Sequence, residues 1–291
     1  MPLTESIESV LAAFVTFNPD IELLERALYS IGGQASETVI VDNGSSNVEE
    51  IHNMVSRLGV RLISLKENQG IAAAFNVAFC CAREKSYKWV ITCDQDSVMP
   101  DQMVARLLDA SKQYENAIDI GIVCPNFYNR SAQCPEYLDK TPRLLDCCIS
   151  SGSLTLVSAW NEISGFDEEM FIDGVDFEFC DRLIDAGYKI LLVPDVYMEH
   201  EIGSASLHSI LGHKFLVFNH SPFRKFYIAQ NIIYRDGKGR GGHAGISAYL
   251  KVAKQMILVI MYEKDKLSKL FKLFMGTLSG RKMLIKVMGS I

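Results

Sequence analysis

The sequence lacks the cysteine patterns that would point to a metal or redox protein. It contains no Cys-x-x-Cys pair, and no spacing of cysteine and histidine that is typical of a zinc site. Its eight cysteines include two adjacent pairs, Cys80-Cys81 and Cys147-Cys148, and others lie in apolar runs. We therefore expect reduced thiols and a cytosolic protein rather than a disulfide-linked one.

Long apolar runs are also absent. No run reaches the ~18 apolar residues that a membrane-spanning helix needs. The N-terminus has no charged segment followed by an apolar one, so we expect no secretory signal and a cytoplasmic location. The composition, with 48% hydrophobic and 22% charged residues, is that of a packed globular protein. A chain of 291 residues can form one large α/β domain with an extension.

Acidic residues outnumber basic ones, but the charge is unevenly spread. The net charge is −6, whereas residues 251–291 carry nine Lys and Arg against two acidic residues. The rest of the chain is acidic and is therefore unsuited to binding nucleic acid, so we expect no nucleic-acid partner. A basic tail on an acidic body indicates contact between the tail and a polyanion or a membrane surface.

The tail also has an amphipathic helical pattern. Its apolar face is formed by Leu267, Leu270, Phe271, Phe274 and Leu278, with Lys269 and Lys272 opposite. This pattern predicts a helix that lies on an anionic membrane. The alternative is a helix that packs on the body or on a second subunit of a homo-oligomer. The glycine-rich segment 237–245 leads us to expect a domain of residues 1–236 and a basic helical extension of residues 237–291.

Strand and helix patterns alternate through the first hundred residues. Short runs rich in apolar and β-branched residues are separated by segments with helical spacing of apolar residues, one of them rich in alanine. The predicted strands are residues 10–17, 38–41, 60–65 and 89–93, and the alanine-rich helix is residues 71–82. Such alternation requires crossover connections and predicts an α/β fold with a mainly parallel sheet. After about residue 120 the alternation weakens, although residues 175–186 still form a helical pattern.

Polar clusters follow the predicted strands where each of them ends. These clusters are residues 16–18, 42–43, 67–70 and 94–96. In open α/β sheets the ligand binds outside the carboxyl ends of the strands. The sequence therefore predicts a binding site at this edge of the sheet. Gly70 opens a helix there, whose free N–H groups and dipole favour an anion.

The Asp94-Gln95-Asp96 triplet directly follows a buried strand. Two carboxylates at positions i and i+2 can bind one hard divalent cation through oxygen. Such a cation, with open positions, would neutralise a departing diphosphate. The alternative is a solvated acidic turn that caps the next helix.

With these motifs, the sequence resembles family 2 glycosyltransferases of the GT-A fold, and within them bacterial rhamnosyltransferases. The matching stretches are residues 15–19, 40–45, 67–72, 94–97, 150–153, 171–180, 199–200 and 219–231. The resemblance covers about residues 8–235. It implies a central, mainly parallel sheet flanked by helices, and identifies the C-terminal helices as an extension of that fold.

The resemblance implies an inverting, metal-dependent glycosyltransferase with Mg²⁺ or Mn²⁺ as cofactor. The implied reaction moves L-rhamnose from dTDP-β-L-rhamnose to a lipid-linked glycan in surface polysaccharide synthesis, at the inner face of the cell membrane. Two alternatives remain open: a UDP-hexose-dependent enzyme of the same fold, and a nucleotide-sugar-binding protein without catalysis. A nucleotidyltransferase is less consistent with the sequence, since the glycine-rich phosphate loop is absent after Val15.

The resemblance also implies which residues contact the nucleotide. They are Thr16, Phe17, Asn18, Asp42, Asn68, Gly70, Asp94 and Gln95. Asp42 would accept a hydrogen bond from the imide N–H of uracil or thymine, since a carboxylate suits that edge of the base. An Asx-turn residue is the alternative reading of Asp42.

The metal and the proton transfer are assigned in the same way. Asp96 would bind the cation with Asp94 and His200 nearby, because a neutral imidazole is a suitable ligand beside carboxylates. Asp176 would be the general base that takes the proton of the acceptor hydroxyl. The family commonly has a Glu-Asp pair at this place, whereas this sequence has Val175 before Asp176.

Alternatives for these positions stay open. Asp173 is a rival base, and Asp176 also suits a helix N-cap. The implied acceptor and sugar pocket is formed by Ser151, Gly152, Asp173 and Glu178. The cations Arg224, Lys225 and Arg235 either close over an anionic group or are solvated surface residues.

Overall fold

The sheet that the alternating pattern predicts is present in the computed structural model, which describes residues 10–114, 117–129, 134–200, 205–210 and 213–288. The described residues form two compact units. The first contains the residues up to Glu169 together with Val175 to His200. The second contains Met170–Gly174 and the residues from Ala205 onward.

The first unit combines nine strands with six helices among the described residues. The strands are β1 (Val10–Thr16), β2 (Glu37–Asp42), β3 (Arg61–Ser64), β4 (Trp89–Asp94), β5 (Ile120–Asn129), β6 (Cys134–Pro135), β7 (Arg143–Leu145), β8 (Leu154–Leu156) and β9 (Lys189–His200). The helices are α1 (Ile21–Ile31), α2 (Val48–Leu58), α3 (Ile71–Glu84), α4 (Met103–Tyr114), α5 (Val157–Glu162) and α6 (Val175–Asp185). The predicted early strands and the helices between them are confirmed.

The main sheet has the order β3-β2-β1-β4-β8-β5-β9-β7, and β6 pairs with β5. The four strands from β3 to β4 are parallel, as is the pair β5 and β9, whereas β8 pairs antiparallel with both neighbours. The register places Thr16 opposite Asp42 and Val15 opposite Asp94. The carboxyl ends of β1, β2 and β4 therefore lie side by side.

Burial explains why these segments form strands and helices. In β1, Val10 to Phe14 are fully buried, so this strand is covered on both faces, as in other parallel sheets. Helix α1 begins where the Asp20 side chain accepts a hydrogen bond from the Leu23 N–H at 3.1 Å. The five alanines of α3 are all buried, which lets this helix pack closely. The core thus holds the strand ends in fixed register.

The second unit is largely helical. Its elements are β10 (Ala205–Ile210), β11 (His213–Phe218), α7 (Pro222–Lys238), α8 (Ile246–Tyr262) and α9 (Lys266–Met288). Helix α9 packs on α7 through two glycines. A Cβ atom on Gly276 would lie 2.1 Å from the Phe226 carbonyl oxygen, and one on Gly280 would lie 2.4 Å from that of Gln230. The two helix backbones therefore approach closely, as only glycine permits.

The predicted domain boundary differs from this division. A boundary after residue 236 falls inside α7, and Gly237 is buried. The contacts of the chain instead group α7 with the two C-terminal helices. None of the described helices is long and apolar enough to cross a membrane.

Candidate functional site

The ends of β1 and β2 are joined by a buried carboxylate. The Thr16 hydroxyl donates to Oδ1 of Asp42 at 3.1 Å, and the Ser45 hydroxyl donates to the same oxygen. Oδ2 of Asp42 accepts from the Ser45 N–H at 3.1 Å. Asp42 has no exposed surface. Its carboxylate therefore anchors the turn that follows β2, although it accepts from the N–H three residues on, whereas an Asx-turn uses the N–H two residues on.

Three further hydrogen bonds tie the β1 end to its neighbours. The Phe17 N–H donates to Oε1 of Gln95 at 2.9 Å, which links the β1 end to the acidic turn after β4. Asn18 has a left-handed φ of 47°, and its side-chain oxygen accepts from the N–H and the hydroxyl of Ser46, each at 2.8 Å. The Phe17 ring remains 45% exposed. An aromatic face is thus presented to solvent beside fixed polar groups.

The loops after β2 and β3 are locked together by two asparagines. The Asn43 amide donates to Oδ1 of Asn68 at 3.0 Å and accepts from the Gln69 N–H at 2.9 Å. Oδ1 of Asn68 also accepts from the Gly70 N–H at 3.0 Å. At Gly44, which has a φ of 78°, a Cβ atom would lie 2.6 Å from the loop after β3. No side chain of the described residues caps α3, whose first N–H groups have no partner within the helix.

The acidic turn after β4 is only partly covered. Asp94 and Gln95 are half-buried and Asp96 is exposed. The Ser97 and Ser151 hydroxyls are 3.3 Å apart, and the Gly152 N–H donates to the Thr92 carbonyl at 2.7 Å. Ser151 and Gly152 are buried, and a Cβ atom on Gly152 would lie 2.6 Å from the sulfur of Met198. These two residues fix a tight turn beside Asp94 and Asp96.

Asp176 has the most informative electrostatics of the predicted residues. It lies in the first turn of α6 and is partly buried. Burial raises its pKa to about 6, and the Asp94 carboxylate adds to the rise, although the Phe177 and Ser150 N–H groups stabilise the ionised form. The carboxyl lines a small cavity with Thr92, Ser150 and Ser153. A carboxylate with such a pKa can take and release protons near neutral pH.

The two other acids of the predicted pocket are paired. Asp173 has a left-handed φ of 69°. Both of its carboxylate oxygens accept hydrogen bonds from Arg224, with Nη2 to Oδ1 at 2.5 Å and Nε to Oδ2 at 3.3 Å. Glu178 is buried, and its two carboxylate oxygens accept hydrogen bonds from Nε and Nη2 of Arg182 at 2.7 and 2.8 Å. Glu178 therefore lies inside an ion pair with Arg182, and its expected role in the pocket stays a prediction.

The carboxylates at the end of β4, Asp94 and Asp96, are the candidate ligands of a divalent cation. No group of three or more His, Cys, Asp or Glu side chains able to hold a metal occurs among the residues that the structure describes. The side chain of His200 lies outside the described residues. Mg²⁺ is commonly held by one or two carboxylates together with substrate phosphates. Asp94 and Asp96 therefore fit a cation that completes its coordination from a diphosphate.

One of the predicted surface cations lies inside the second unit. Lys225 is 1% exposed, and its ammonium donates to Oε1 of Glu263 at 2.6 Å. Lys269 donates to the other oxygen of Glu263 at 3.0 Å. Glu263 therefore links Lys225 of α7 to Lys269 of α9, and neither alternative considered for Lys225 describes this buried pairing.

Several contributors were missed by the sequence analysis. The Thr92 hydroxyl donates to the Ser150 carbonyl and so fixes the residue whose N–H faces Asp176. Asn76 accepts from the Trp160 indole N–H at 3.0 Å and from the Phe166 N–H at 2.8 Å, and so shapes the chain between α5 and α6. The signal for Asn76 was present, because it is a polar residue within the apolar helix α3.

Comparisons with known proteins agree with this geometry. The sequence model of glycosyl transferase family 2 matches residues 12–149. The dTDP-rhamnosyl transferase RfbF of Shigella flexneri is 28% identical over 292 residues, which cover 94% of this chain and 95% of that protein.

Two solved structures share the fold. A crystal structure of GalNAc-T7 with UDP, GalNAc and Mn²⁺ has a TM-score of 0.56 at 15% identity. The matched region covers 79% of this chain and 48% of the chain in that structure. The structure of S. aureus TarS has a TM-score of 0.54 at 14% identity, and the matched region covers 77% of this chain and 40% of the TarS chain. The chain spans less than half the length of either structure. These likenesses confirm the predicted GT-A fold.

Proposed function

We propose that the chain is a glycosyltransferase of family 2, and that it transfers L-rhamnose from dTDP-β-L-rhamnose to a lipid-linked glycan with inversion at the sugar carbon. The observation that carries this proposal is the similarity to a dTDP-rhamnosyl transferase over nearly the full length of both chains. The proposed product belongs to a surface polysaccharide. The enzyme would work at the inner face of the membrane, where a lipid-linked acceptor is held.

The donor nucleotide is proposed to bind at the ends of β1, β2 and β3. The exposed ring of Phe17 can cover the base, while Asn18 and Gln95 hold the backbone on which that ring stands. Asn68 and the uncapped start of α3 at Gly70 face the ribose and diphosphate in this proposal, since helix N-termini favour anions. Thr16 acts through Asp42, and a base contact by Asp42 requires the Ser45 hydroxyl to move away.

The diphosphate is proposed to bind with Mg²⁺ or Mn²⁺ at Asp94 and Asp96, with His200 as a further ligand. The cation would supply positive charge to the leaving diphosphate. Because Asp96 is exposed and Asp94 is half-buried, the pair can meet a cation that arrives with its donor. Ser151 and Gly152 are proposed to shape the sugar pocket by fixing the adjacent turn.

Asp176 is proposed as the general base, and Asp173 is not. A base needs a free lone pair and a pKa near the working pH. The pKa of Asp176 is raised to about 6, whereas Asp173 has both oxygens on Arg224. When the acceptor oxygen attacks the anomeric carbon, its proton passes to the Asp176 carboxylate while the bond to the diphosphate breaks. The pair with Arg224 makes Asp173 a brace for the segment before α6.

A donor screen tests the function directly. We expect dTDP-rhamnose with Mn²⁺ to raise the melting temperature, because a ligand that binds only the folded state stabilises it by mass action. UDP-hexoses should raise it less, and calorimetric titration of both nucleotide sugars measures the difference. A Phe17→Ala variant should lose most of the shift, while Leu138→Ala, at another exposed apolar residue, should keep it.

The outcomes separate the alternatives. A larger shift with UDP-hexoses would refute the rhamnose donor and favour the related hexose enzyme. Binding of dTDP-rhamnose without release of labelled sugar to any acceptor extract would instead indicate a binding protein without catalysis.

A further inference from the structure

Helix α9 has two opposite faces, and its apolar stripe is on the exposed one. The face against α7 repeats every three or four residues and contains Lys269, Leu273, Gly276, Gly280 and Leu284. The exposed stripe contains Leu267, Phe271, Phe274 and Leu278 at the same spacing and, two turns further on, Ile285. Phe271 is 60% exposed and Phe274 is 54% exposed, which is unusual for phenylalanine. We refer to these five residues as the α9 stripe.

Helix α8 is arranged in the same way. Its buried positions include Ala248, Val252 and Val259. The exposed apolar side chains lie between these positions at helical spacing and are Ile246, Leu250, Ile257, Ile260 and Met261, which we call the α8 stripe. Scattered exposed apolar residues are normal, but two helices with continuous apolar stripes are not. Such stripes mark a surface that meets something other than water.

The charges around the stripes have almost one sign. The exposed basic residues of the two helices and their connection are Lys251, Lys254, Lys264, Lys266, Lys272, Arg281, Lys282 and Lys286. Asp265 is the exposed acidic residue in the same segment, and Glu263 is buried between two lysines. The surface therefore combines large apolar side chains with a strong positive charge.

We infer that α8 and α9 bind the surface of an anionic bilayer through these two stripes. Apolar side chains enter the boundary between headgroups and acyl chains, while lysines on the flanks meet anionic lipids. The helices would lie on the bilayer, since none of the described helices can span one. A second copy of the chain is a poor occupant, because self-association would bring like charges together.

One lysine of the tail lies elsewhere than expected, whereas the expected apolar residues 267, 271, 274 and 278 are on the exposed stripe. Lys269 was expected opposite the apolar residues, in the polar surface, but it is buried against α7 and Glu263. The lysines that remain for lipid contact are those on the flanks of the stripe. The inference does not depend on the proposed sugar transfer, because vesicle binding is measured without donor or acceptor.

Vesicle flotation of the full chain tests the inference. The probes are vesicles of phosphatidylcholine alone and of equal parts phosphatidylcholine and phosphatidylglycerol. We expect binding to the anionic vesicles, weaker binding at high salt, and little binding to the zwitterionic ones. The Phe271→Ser/Phe274→Ser double variant should lower the partition constant about tenfold or more, because burying one large apolar side chain is already worth about that factor.

Charge reversal and a matched control complete the experiment. Lys272→Glu/Lys282→Glu should weaken anionic binding about thirtyfold or more, because two lysines at roughly one kcal/mol each near the surface correspond to that factor and the new carboxylates add repulsion. Leu138→Ser/Lys140→Glu changes an exposed apolar and an exposed basic residue of the first unit and should bind as the unchanged protein does. All these positions are exposed, so melting temperatures should not change.

Three outcomes would overturn the inference. The first is failure of the unchanged protein to float with anionic vesicles. The second is equal binding by the phenylalanine variant and the control. The third is loss of a dimer in that variant, seen by sedimentation velocity, without loss of vesicle binding, which would assign the stripes to a second copy of the chain.

Discussion

Replacing Asp176 with Asn should abolish transfer and stabilise the protein at the same time. The reference pKa of the carboxyl is 3.8, and burial raises it to about 6 in the folded state. The folded state therefore binds this proton more tightly than the unfolded state does. As the pH rises from about 4 to about 6, the unfolded carboxyl ionises first, and the free energy of unfolding falls.

The size of this cost follows from the shift. About two pKa units at about 1.4 kcal/mol each correspond to roughly 3 kcal/mol at neutral pH, as an upper value. Asn removes the charge and keeps one acceptor oxygen for the Phe177 and Ser150 N–H groups, so part of this gain is lost. We expect Asp176→Asn to raise the free energy of unfolding by about 1–3 kcal/mol at neutral pH, with no gain near pH ~4.

The assay is urea unfolding of both proteins at several pH values, together with transfer of labelled sugar. In the unchanged enzyme, kcat/KM should fall as the pH drops through about 6, because the base becomes protonated. Glu178→Gln is the control, since it removes a buried acid that is paired with Arg182 and should destabilise at all these pH values. A variant that retains transfer refutes the base, and a pH-independent difference in stability refutes the electrostatic reasoning.

Two further substitutions test the scaffold around the site and the second unit. Gly44→Ala should lower the free energy of unfolding by about 1–3 kcal/mol and weaken donor binding, because the φ of Gly44 is positive and a Cβ would meet the Glu67 backbone. Urea unfolding measures the loss of stability, and calorimetry measures the donor affinity. Glu263→Gln should destabilise by roughly 3–5 kcal/mol, and more than Lys225→Met does, because it leaves Lys225 and Lys269 buried without their carboxylate. Equal losses for these two variants in urea unfolding would contradict that order.

The strand ends could be predicted from the sequence because the signals are local. Apolar runs that stop at Asn18 or Asp42 mark where a strand gives way to a turn, and the parallel order then places these ends together. The state of each side chain could not be predicted, because it depends on donors from elsewhere in the chain. Asp42 is an example, since its buried carboxylate accepts a hydrogen bond from Thr16, which precedes it by 26 residues. The ion pair of Glu178, in contrast, could be predicted from the sequence, because its partner Arg182 lies one helical turn away.

The C-terminal helix shows why an apolar stripe alone does not identify the packing face. The periodicity of the sequence predicts one apolar face on α9. Packing of this face against the rest of the chain and contact of this face with lipid were both consistent with that pattern. The structure packs the other side, where Gly276 and Gly280 let α9 meet the α7 backbone and Lys269 reaches a buried carboxylate. Small residues permit a closer approach than large ones, so a helix that packs backbone to backbone leaves its bulky side chains on the outer face. The phenylalanines of α9 are exposed for that reason, and their exposure, rather than their periodicity, makes contact with a bilayer a testable property of this chain.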